Sequence, residues 1–243
     1  MGQQAPLALV TPMRIGCISD IHGNSTALTA VMSVLLDEVD SILFLGDLCG
    51  YYPFVEECVN LMPRNRIIGI RGNHDQVLLD CLESEAQPSS EYRARYGSAL
   101  GRSLGSLSSS TISVLQSLPH SRLLSLDGVA VALYHGSPWN PLEGRVYPDF
   151  DDWDRFSSVP ADVILLGQTH HPFAKRHRDK LIVNPGSVGQ PRDRSGEACF
   201  AILDLASGAV EHSRVPFDPQ TLIADAREHD PENPYLADVL VRR

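Results

Sequence analysis

The first half of the chain alternates short apolar runs with longer segments of helical periodicity. "RIGCIS" (Arg14 to Ser19), "SILFLGD" and "RIIGIRGNHD" have the length and composition of buried strands. Between the first two, "STALTAVMSVLLDEV" repeats its apolar residues at helical spacing, with Asn24 or Ser25 as the N-cap. "VEECVNLM" predicts a second helix, which Pro63 ends. This order predicts strands that are joined by helices.

The pattern changes after the third predicted strand. The segment from Val77 to Pro119 predicts two or three helices, interrupted at Pro88. "RLLSLDGVAVALYHG" is a hairpin signal, and "DVILLG", "KLIVNPGS" and "ACFAILDL" predict three further strands. We interpret "KRHRDK" as a solvated turn, and the polar residues after Val215 as a tail with one helix near Thr221 to Arg227.

Strands that alternate with helices and then give way to hairpins predict an α/β protein with mixed sheets, two of them packed face to face. With 243 residues and 43% hydrophobic side chains, the chain can form one sizeable core, so we expect a single domain over 1–243. Within it we distinguish a loose leader (1–12), a helical insertion near the functional site (77–119) and a C-terminal tail (216–243).

Charge and cysteine content narrow the function classes. The formal net charge of −10 repels polyanions, so general nucleic-acid binding is not expected, although bound metal ions can make one site locally positive. The five cysteines form no CxxC pair, which favours reduced, packed thiols and a cytoplasmic location. The N-terminus lacks the basic leader of a signal peptide, and no apolar run is long enough to cross a bilayer, so no membrane association is expected.

Candidate ligands follow five of the apolar runs, at the point where each run ends. In α/β sheets, functional groups gather at the carboxyl ends of strands because the loops there share one crevice. Carboxylate, imidazole and amide groups together suit Mn²⁺, Fe, Zn²⁺ or Ni²⁺ better than a thiolate-selective ion. The residues at these ends are Asp20, His22, Asp47, Asn73, His74, His135, Gln168 and His170.

Five short motifs occur in a fixed order: "DIH", "GD", "GNHD", "YHG" and "GQTH". In this order they resemble the calcineurin-like metallophosphoesterases, and most closely the small bacterial and archaeal phosphodiesterase branch, for which "NPGSVGQPR" is also typical. The resemblance extends from Met13 to Leu205. It implies a four-layer α/β/β/α sandwich, in which two mixed β-sheets are flanked by helices and a two-metal site lies at one edge.

The resemblance also implies a role for each candidate ligand. Two divalent ions share Asp47, with Mn²⁺ the first choice and Fe, Ni²⁺, Co²⁺ or Zn²⁺ the alternatives. The remaining ligands are Asp20, His22 and His170 for the first ion, and Asn73, His135 and residue 168 for the second. His74 is not a ligand in this arrangement and acts instead as a proton donor or transition-state stabiliser.

The implied activity is a phosphoesterase that uses a metal-bridging hydroxide to attack a small phosphate ester. Phosphodiesters are the first substrate choice and phosphomonoesters the second. Asn24, Arg71 and Arg192 are candidate phosphate contacts. By the same resemblance a homo-oligomer, a dimer or a tetramer, is compatible with the chain.

One position departs from the family pattern. The family has Gly-His-x-His where this chain has Gly167-Gln168-Thr169-His170. Gln168 offers an amide oxygen, which is a weaker donor than imidazole. Three outcomes follow: Gln168 ligates and selects a harder ion, or it leaves its place to water, or the second ion binds so weakly that catalysis is lost.

Other functions compete with the enzyme. The last outcome for Gln168 would give a non-catalytic binding protein similar to the retromer scaffold subunit, which resembles these enzymes. A nuclease is disfavoured by the acidic balance and by the lack of a basic, aromatic groove. Taken singly, Asp20 and Asp47 could cap helices and His135 could be a core histidine. The retained Asp47 and His74 favour an enzyme.

Overall fold

Ten strands and eight α-helices form in a computed structural model that describes residues 13–193 and 195–242. The proposed leader at 1–12 lies outside the described residues. The strands are β1 (Arg14–Ile18), β2 (Ser41–Phe44), β3 (Ile67–Gly69), β4 (Ser121–Leu126), β5 (Val129–Tyr134), β6 (Val163–Leu166), β7 (Phe173–His177), β8 (Lys180–Asn184), β9 (Ala198–Asp204) and β10 (Ala209–Val215). The helices are α1 (Ser25–Glu38), α2 (Val55–Leu61), α3 (Asn73–Ser84), α4 (Ser90–Tyr96), α5 (Ala99–Ser103), α6 (Ser109–Ser117), α7 (Gln220–His229) and α8 (Tyr235–Asp238).

The strands form two mixed sheets of five strands each. The first sheet has the order β10-β9-β1-β2-β3, in which β1, β2 and β3 are parallel and β9 is antiparallel to both of its neighbours. The second has the order β4-β5-β6-β8-β7, with β5, β6 and β8 parallel between two antiparallel edge strands. The expected α/β sandwich of two mixed sheets is therefore confirmed.

Apolar side chains divide the molecule into layers. Ile15 and Leu43 on the first sheet meet Val131 and Leu165 on the second, and the inter-sheet core forms around them. The other face of the first sheet packs against α1, α2, α3, α5 and α6. The outer face of the second sheet is covered by a long loop and a 3₁₀ helix at Trp153–Ser158, so this layer is thinner than the helical one.

The helix that follows β1 begins where the sequence predicted. The Asn24 side chain accepts a hydrogen bond from Ala27 N at 2.9 Å and so satisfies one of the free N–H groups of the first turn of α1. The Asn24 side-chain amide also donates to Gly189 O at 2.8 Å. One residue thus fixes both the helix start and the loop between β8 and β9.

Two parts of the sequence prediction need correction. The composition of "KRHRDK" predicts a turn, but Lys175, Arg176 and His177 belong to β7, and only Arg178 and Asp179 form the turn before β8. The strand was missed because β7 lies at a sheet edge, where charged side chains are exposed and replace the apolar alternation. The β10 strand was missed for the same reason, since it too is an edge strand with polar residues.

The C-terminal segment after Val215 is polar in composition, but several of its apolar side chains are buried. The helix predicted near Thr221 to Arg227 is part of α7. Leu222, Leu236 and Leu240 are buried in a cluster that also holds Tyr51 and Tyr52. The Tyr52 hydroxyl donates to Leu236 O at 3.0 Å, which fastens the loop after β2 to α8. No helix in residues 13–193 and 195–242 has both the length and the apolar character needed to cross a membrane.

A close contact joins the loop after β1 to the loop after β8. Gly189 N donates to Asp20 O at 3.0 Å, and Val188 N donates to Ser19 O at the same distance. A Cβ atom on Gly189 would lie 1.8 Å from Ile21 O, so no other residue fits here without moving the Asp20 loop. Gly105, by contrast, has nothing within 4 Å of a Cβ position.

Gly189→Ala is expected to lower the free energy of unfolding by about 1–3 kcal/mol, because the methyl group forces the two loops apart. Gly105→Ala is the matched control, and its stability is expected to be unchanged or to rise by up to about 1 kcal/mol. Urea unfolding of both variants measures the difference. Equal midpoints for the two variants would show that the loop contact is loose.

Candidate metal centre

The candidate ligands all lie at the carboxyl ends of parallel strands. Asp20 and His22 follow β1, and Asp47 follows β2. Asn73 and His74 begin α3 after β3. From the second sheet, His135 follows β5, and Gln168 and His170 follow β6. The edges of the two sheets thus contribute to one site, as the ends of the apolar runs predicted.

The structure brings the ligand atoms of these residues into three overlapping groups, in each of which the atoms lie within 4.8 Å of one another. The groups are Asp20, His22 and His170; His22, Asp47 and His74; and Asp20, Asp47 and His135. We call Asp20, His22, Asp47, His135 and His170 the ligand cluster. Each of its members is almost fully buried.

The two carboxylates are placed among the imidazoles. His170 Nε2 lies 3.2 Å from Asp20 Oδ1, and His135 Nε2 lies 3.2 Å from Asp47 Oδ2. His22 lies between them, with its Nε2 atom 3.7 Å from Asp20 Oδ1 and 3.9 Å from Asp47 Oδ2. Each carboxylate is therefore close to more than one histidine.

Backbone carbonyls orient the three histidines of the cluster. Nδ1 of His22 lies 2.9 Å from Cys49 O, Nδ1 of His135 lies 2.8 Å from Leu45 O, and Nδ1 of His170 lies 2.7 Å from Gln190 O. Because a carbonyl can only accept, each Nδ1 carries the proton and donates it. In the neutral ring this leaves the Nε2 lone pair directed into the cluster, which is the arrangement of metal-binding histidines in proteins.

Two further observations show that the cluster suits a divalent cation. The Nε2 atoms of His22 and His170 face each other at 3.0 Å, although neither has a proton to donate when both rings are neutral. Both carboxylate oxygens of Asp20 are buried and accept no hydrogen bond within the described ranges. Buried charges are stabilised by pairing or by metal coordination, so this donor set fits a cation.

The pKa values of Asp20 and His135 also indicate that the cluster stabilises positive charge. Burial would raise the pKa of Asp20, but the neighbouring His170 and His135 lower it to about 2. Burial would lower the pKa of His135, but Asp47 and Asp20 raise it to about 10. The cluster therefore holds its carboxylates ionised and attracts a proton or a cation.

The backbone at the site is unusual. Among the non-glycine residues of the described part, eight have a positive φ, and five of these are candidate ligands. The five are Asp20 (φ 55°), His22 (53°), Asp47 (60°), Gln168 (68°) and His170 (62°). Such strained conformations gather at functional sites because the surrounding structure has to hold them.

Gln168, which stands where the family pattern has a histidine, lies among the candidate ligands of the second ion. Asn73 Oδ1 lies 3.2 Å from His135 Nε2 and accepts a hydrogen bond from Gln168 Nε2 at 2.9 Å. Gln168 Nε2 also donates to Leu142 O at 3.0 Å. Gln168 is therefore placed beside Asn73 and His135, but with its amide nitrogen, rather than its oxygen, directed at Asn73.

His74 has different surroundings from the histidines of the cluster. Its backbone N donates to Asp47 Oδ1 at 2.9 Å, and its Nδ1 contacts the Tyr92 hydroxyl instead of a backbone carbonyl. The rings of Tyr51, Tyr92 and Tyr96 pack against it. Burial lowers its pKa to about 4, so the ring is neutral at pH 7.

A buried carboxylate supports the loop that carries Asp47. Asp75 accepts hydrogen bonds from the backbone N–H groups of Asp47, Cys49 and Gly72, each at 2.9 Å. Burial and the nearby Asp47 raise the pKa of Asp75 to about 6. Asp75 thus acts through the backbone and does not face the cluster.

A cavity of about 230 Å³ opens beside the cluster. It is lined by Asp47, Asn73, His74, Gln168 and His170. The sequence predicted Arg192 as a phosphate contact, but it gave no indication of four further lining residues, since they lie in segments without a motif. These are Arg95, Tyr96, Arg145 and Tyr235. A cavity of similar size between β3, α2 and α6 is mainly apolar and holds none of these residues.

Of the three proposed phosphate contacts, the structure brings only Arg192 to this cavity. The Arg71 guanidinium donates to Leu118 O, Gln116 O and the Gln76 side chain, and it lines a separate depression beside α3. Asn24 is buried as the cap of α1. Arg71 and Asn24 stand next to motifs in the sequence, but neighbours in sequence need not face the same side.

Comparison with known proteins gives consistent matches. Residues 13–208 match the model of the calcineurin-like phosphoesterase superfamily domain. An uncharacterized protein of Methanocaldococcus jannaschii is 31% identical over 222 residues, which cover 84% of this chain and 88% of that protein. The crystal structure of a metallophosphoesterase from Sphaerobacter thermophilus superimposes with a TM-score of 0.79 at 30% identity, covering 96% of this chain and 99% of that one.

Mn²⁺ at about 100 times its dissociation constant is expected to stabilise the protein by about 2.7 kcal/mol, which raises the melting temperature by about 5–10 °C. Asp20→Asn should reduce this rise to about 2 °C or less, because an amide replaces the buried carboxylate. Asp80→Asn, on the exposed side of α3, is the control and should keep the full rise. Thermal unfolding with and without Mn²⁺ measures the effect, and an equal rise in all three proteins would place the ion elsewhere.

Proposed function

Since the chain belongs to the calcineurin-like phosphoesterase superfamily, we propose that it is a phosphoesterase that uses two divalent ions, Mn²⁺ first, to hydrolyse a small phosphodiester. The observation that carries this proposal is the orientation of three buried imidazoles. Backbone carbonyls hold the Nδ1 atoms of His22, His135 and His170, so that their Nε2 atoms face Asp20 and Asp47. In a purely structural core, two buried carboxylates in this arrangement would destabilise the fold, because burying an ionised group is unfavourable.

In the proposed site Asp47 would be a ligand of both ions; like Asp20 and His22, it belongs to two of the three groups of ligand atoms. The other ligands would be Asp20, His22 and His170 on one side, and Asn73, His135 and Gln168 on the other. When bound, the ions would neutralise phosphate charge and lower the pKa of water. The chain's own contribution is a buried set of donors beside an open cavity.

His74 is proposed to stabilise the reacting phosphate. Its ring is neutral at pH 7 and lines the cavity, so its N–H group can hydrogen-bond an oxygen on which negative charge develops. It can give up a proton to the leaving oxygen only where that charge raises its pKa. Groups of this kind contribute roughly 10²–10⁴-fold to the rate.

The orientation of Gln168 supports a second candidate function, that of a binding protein with little or no catalytic activity. Its amide nitrogen faces Asn73 Oδ1, so a ligand oxygen becomes available only if the amide turns. A weak second ion would leave a binding protein with little or no catalysis. Asp47 and His74 are both present at the cavity, and this supports the enzyme as the first proposal.

The cysteines bear on the cellular location. All five are buried free thiols, which fit a reducing compartment, and we propose the cytoplasm.

Purified protein is expected to hydrolyse bis-p-nitrophenyl phosphate with Mn²⁺ and to stop when a chelator is added. Asp47→Asn, purified in parallel, should lose both metal and activity, because both ions depend on Asp47. His74→Ala should lose roughly 10²–10⁴-fold in kcat while its metal content stays near normal. Nitrophenolate release and elemental analysis measure the two quantities.

The outcomes separate the two candidate functions. A protein that binds metal but shows no turnover with Mn²⁺, Fe²⁺, Ni²⁺, Co²⁺ or Zn²⁺ would favour the binding protein. Equal loss of metal in His74→Ala and Asp47→Asn would show that His74 is a ligand.

Gln168→His is expected to tighten the second ion, since imidazole is a stronger donor than an amide. A calorimetric Mn²⁺ titration should give a higher affinity for one of two sites, with the other unchanged. Gln116→His, on an exposed position of α6, adds a histidine away from the cavity and is the control. Identical titrations for Gln168→His and the natural protein would show that residue 168 does not contact an ion.

A further inference from the structure

Three arginines reach the cavity beside the cluster from three separate segments. Arg95 lies on α4, Arg145 lies in the loop after β5, and Arg192 lies in the loop after β8. Within the part of the chain that the structure describes, none of them pairs with a carboxylate, whereas Arg102 and Arg214 do. In a chain with 30 acidic and 20 basic residues, three unpaired guanidinium groups at one cavity indicate an anionic ligand.

The arginines are held in different ways. Arg192 is partly buried and donates to the Tyr51 hydroxyl at 2.8 Å and to Gln190 Oε1 at 3.2 Å. Its Nε atom is buried without a partner among the described residues. The guanidinium of Arg95 lies 5.1 Å from the centre of the Tyr96 ring. Arg145 is exposed at the cavity, and its side chain makes no hydrogen bond within 13–193 and 195–242.

The charge at the cavity exceeds what one phosphodiester neutralises. A phosphodiester has a single negative charge, and the two proposed ions already outweigh Asp20 and Asp47. The three guanidinium groups add to this excess. A guanidinium binds phosphate oxygens with two parallel hydrogen bonds, so arginine outside the ligand cluster is suited to a second phosphate.

We propose that Arg95, Arg145 and Arg192 form a subsite for a second phosphate, and that the substrates are esters with two or more linked phosphates. This inference rests on the proposed function, because it assumes that the first phosphate lies at the ligand cluster. Tyr235 on α8, beyond the 13–208 range that the family model matches, also lines this cavity. The C-terminal segment thus contributes to the space beside the subsite.

The test compares two substrates that differ by one phosphate, on the Mn²⁺-loaded full chain. These are the p-nitrophenyl esters of thymidine 5′-monophosphate and of thymidine 5′-diphosphate; in both, a water oxygen would bond to the phosphorus that bears the nitrophenyl group, and the P–O bond to nitrophenolate would break. The diphosphate is expected to have a kcat/KM about tenfold higher or more, mainly through KM, because charge-assisted hydrogen bonds are added. In an Arg95→Gln/Arg145→Gln double variant this ratio should fall to about 1. Arg93→Gln removes an exposed charge from the same helix and should keep the natural ratio.

A ratio near 1 in the natural protein, or an unchanged ratio in the double variant, would overturn the subsite even if both substrates are hydrolysed. Absence of all turnover, including that of bis-p-nitrophenyl phosphate, would instead contradict the proposed function. Calorimetric binding of inorganic pyrophosphate and phosphate then tests the subsite without turnover. Tighter binding of pyrophosphate that is lost in the double variant supports the subsite, and equal binding rejects it.

Discussion

The burial of two carboxylates is the constraint on which this site depends. Asp20 and Asp47 lie in a part of the molecule where an ionised group is unfavourable unless a positive partner is close. The surrounding histidines provide that partner, and carbonyls of Leu45, Cys49 and Gln190 set the direction of each ring. The loops after β1, β2 and β8 are therefore shaped by electrostatics as much as by packing.

This electrostatic arrangement requires a strained backbone. Five candidate ligands have a positive φ, at a cost on the order of 1 kcal/mol or more each. The buried core between the two sheets, and contacts such as that of Gly189 with Asp20, stabilise the fold against this cost. A loose sheet edge would relax these residues, and the imidazoles and carboxylates would then separate. The core of the sandwich is in this sense part of the site.

Much of the fold and of the ligand cluster could be predicted, because short stretches of sequence identify both. Each apolar run identified a strand, and the polar residue after it identified a position at the sheet edge. Edge strands such as β7 were missed because exposure removes the apolar pattern. Arg145 and Tyr235 were missed because only tertiary contacts bring them to the cavity, and Arg71 was misplaced because proximity in sequence does not fix side-chain direction. Whether each candidate has its proposed role stays a prediction.

The hydrogen bond between the Tyr52 hydroxyl and Leu236 O joins positions 184 residues apart and holds α8 against the loop after β2. The ligand cluster comes from residues up to His170, whereas a wall of the cavity comes from α8. Substitutions in α8 can therefore reshape what the cavity admits, while the balance of buried charge stays as it was. Part of the cavity is thus shaped by a stretch of the chain that supplies no candidate ligand, and this stretch can change without the ligand cluster being rebuilt.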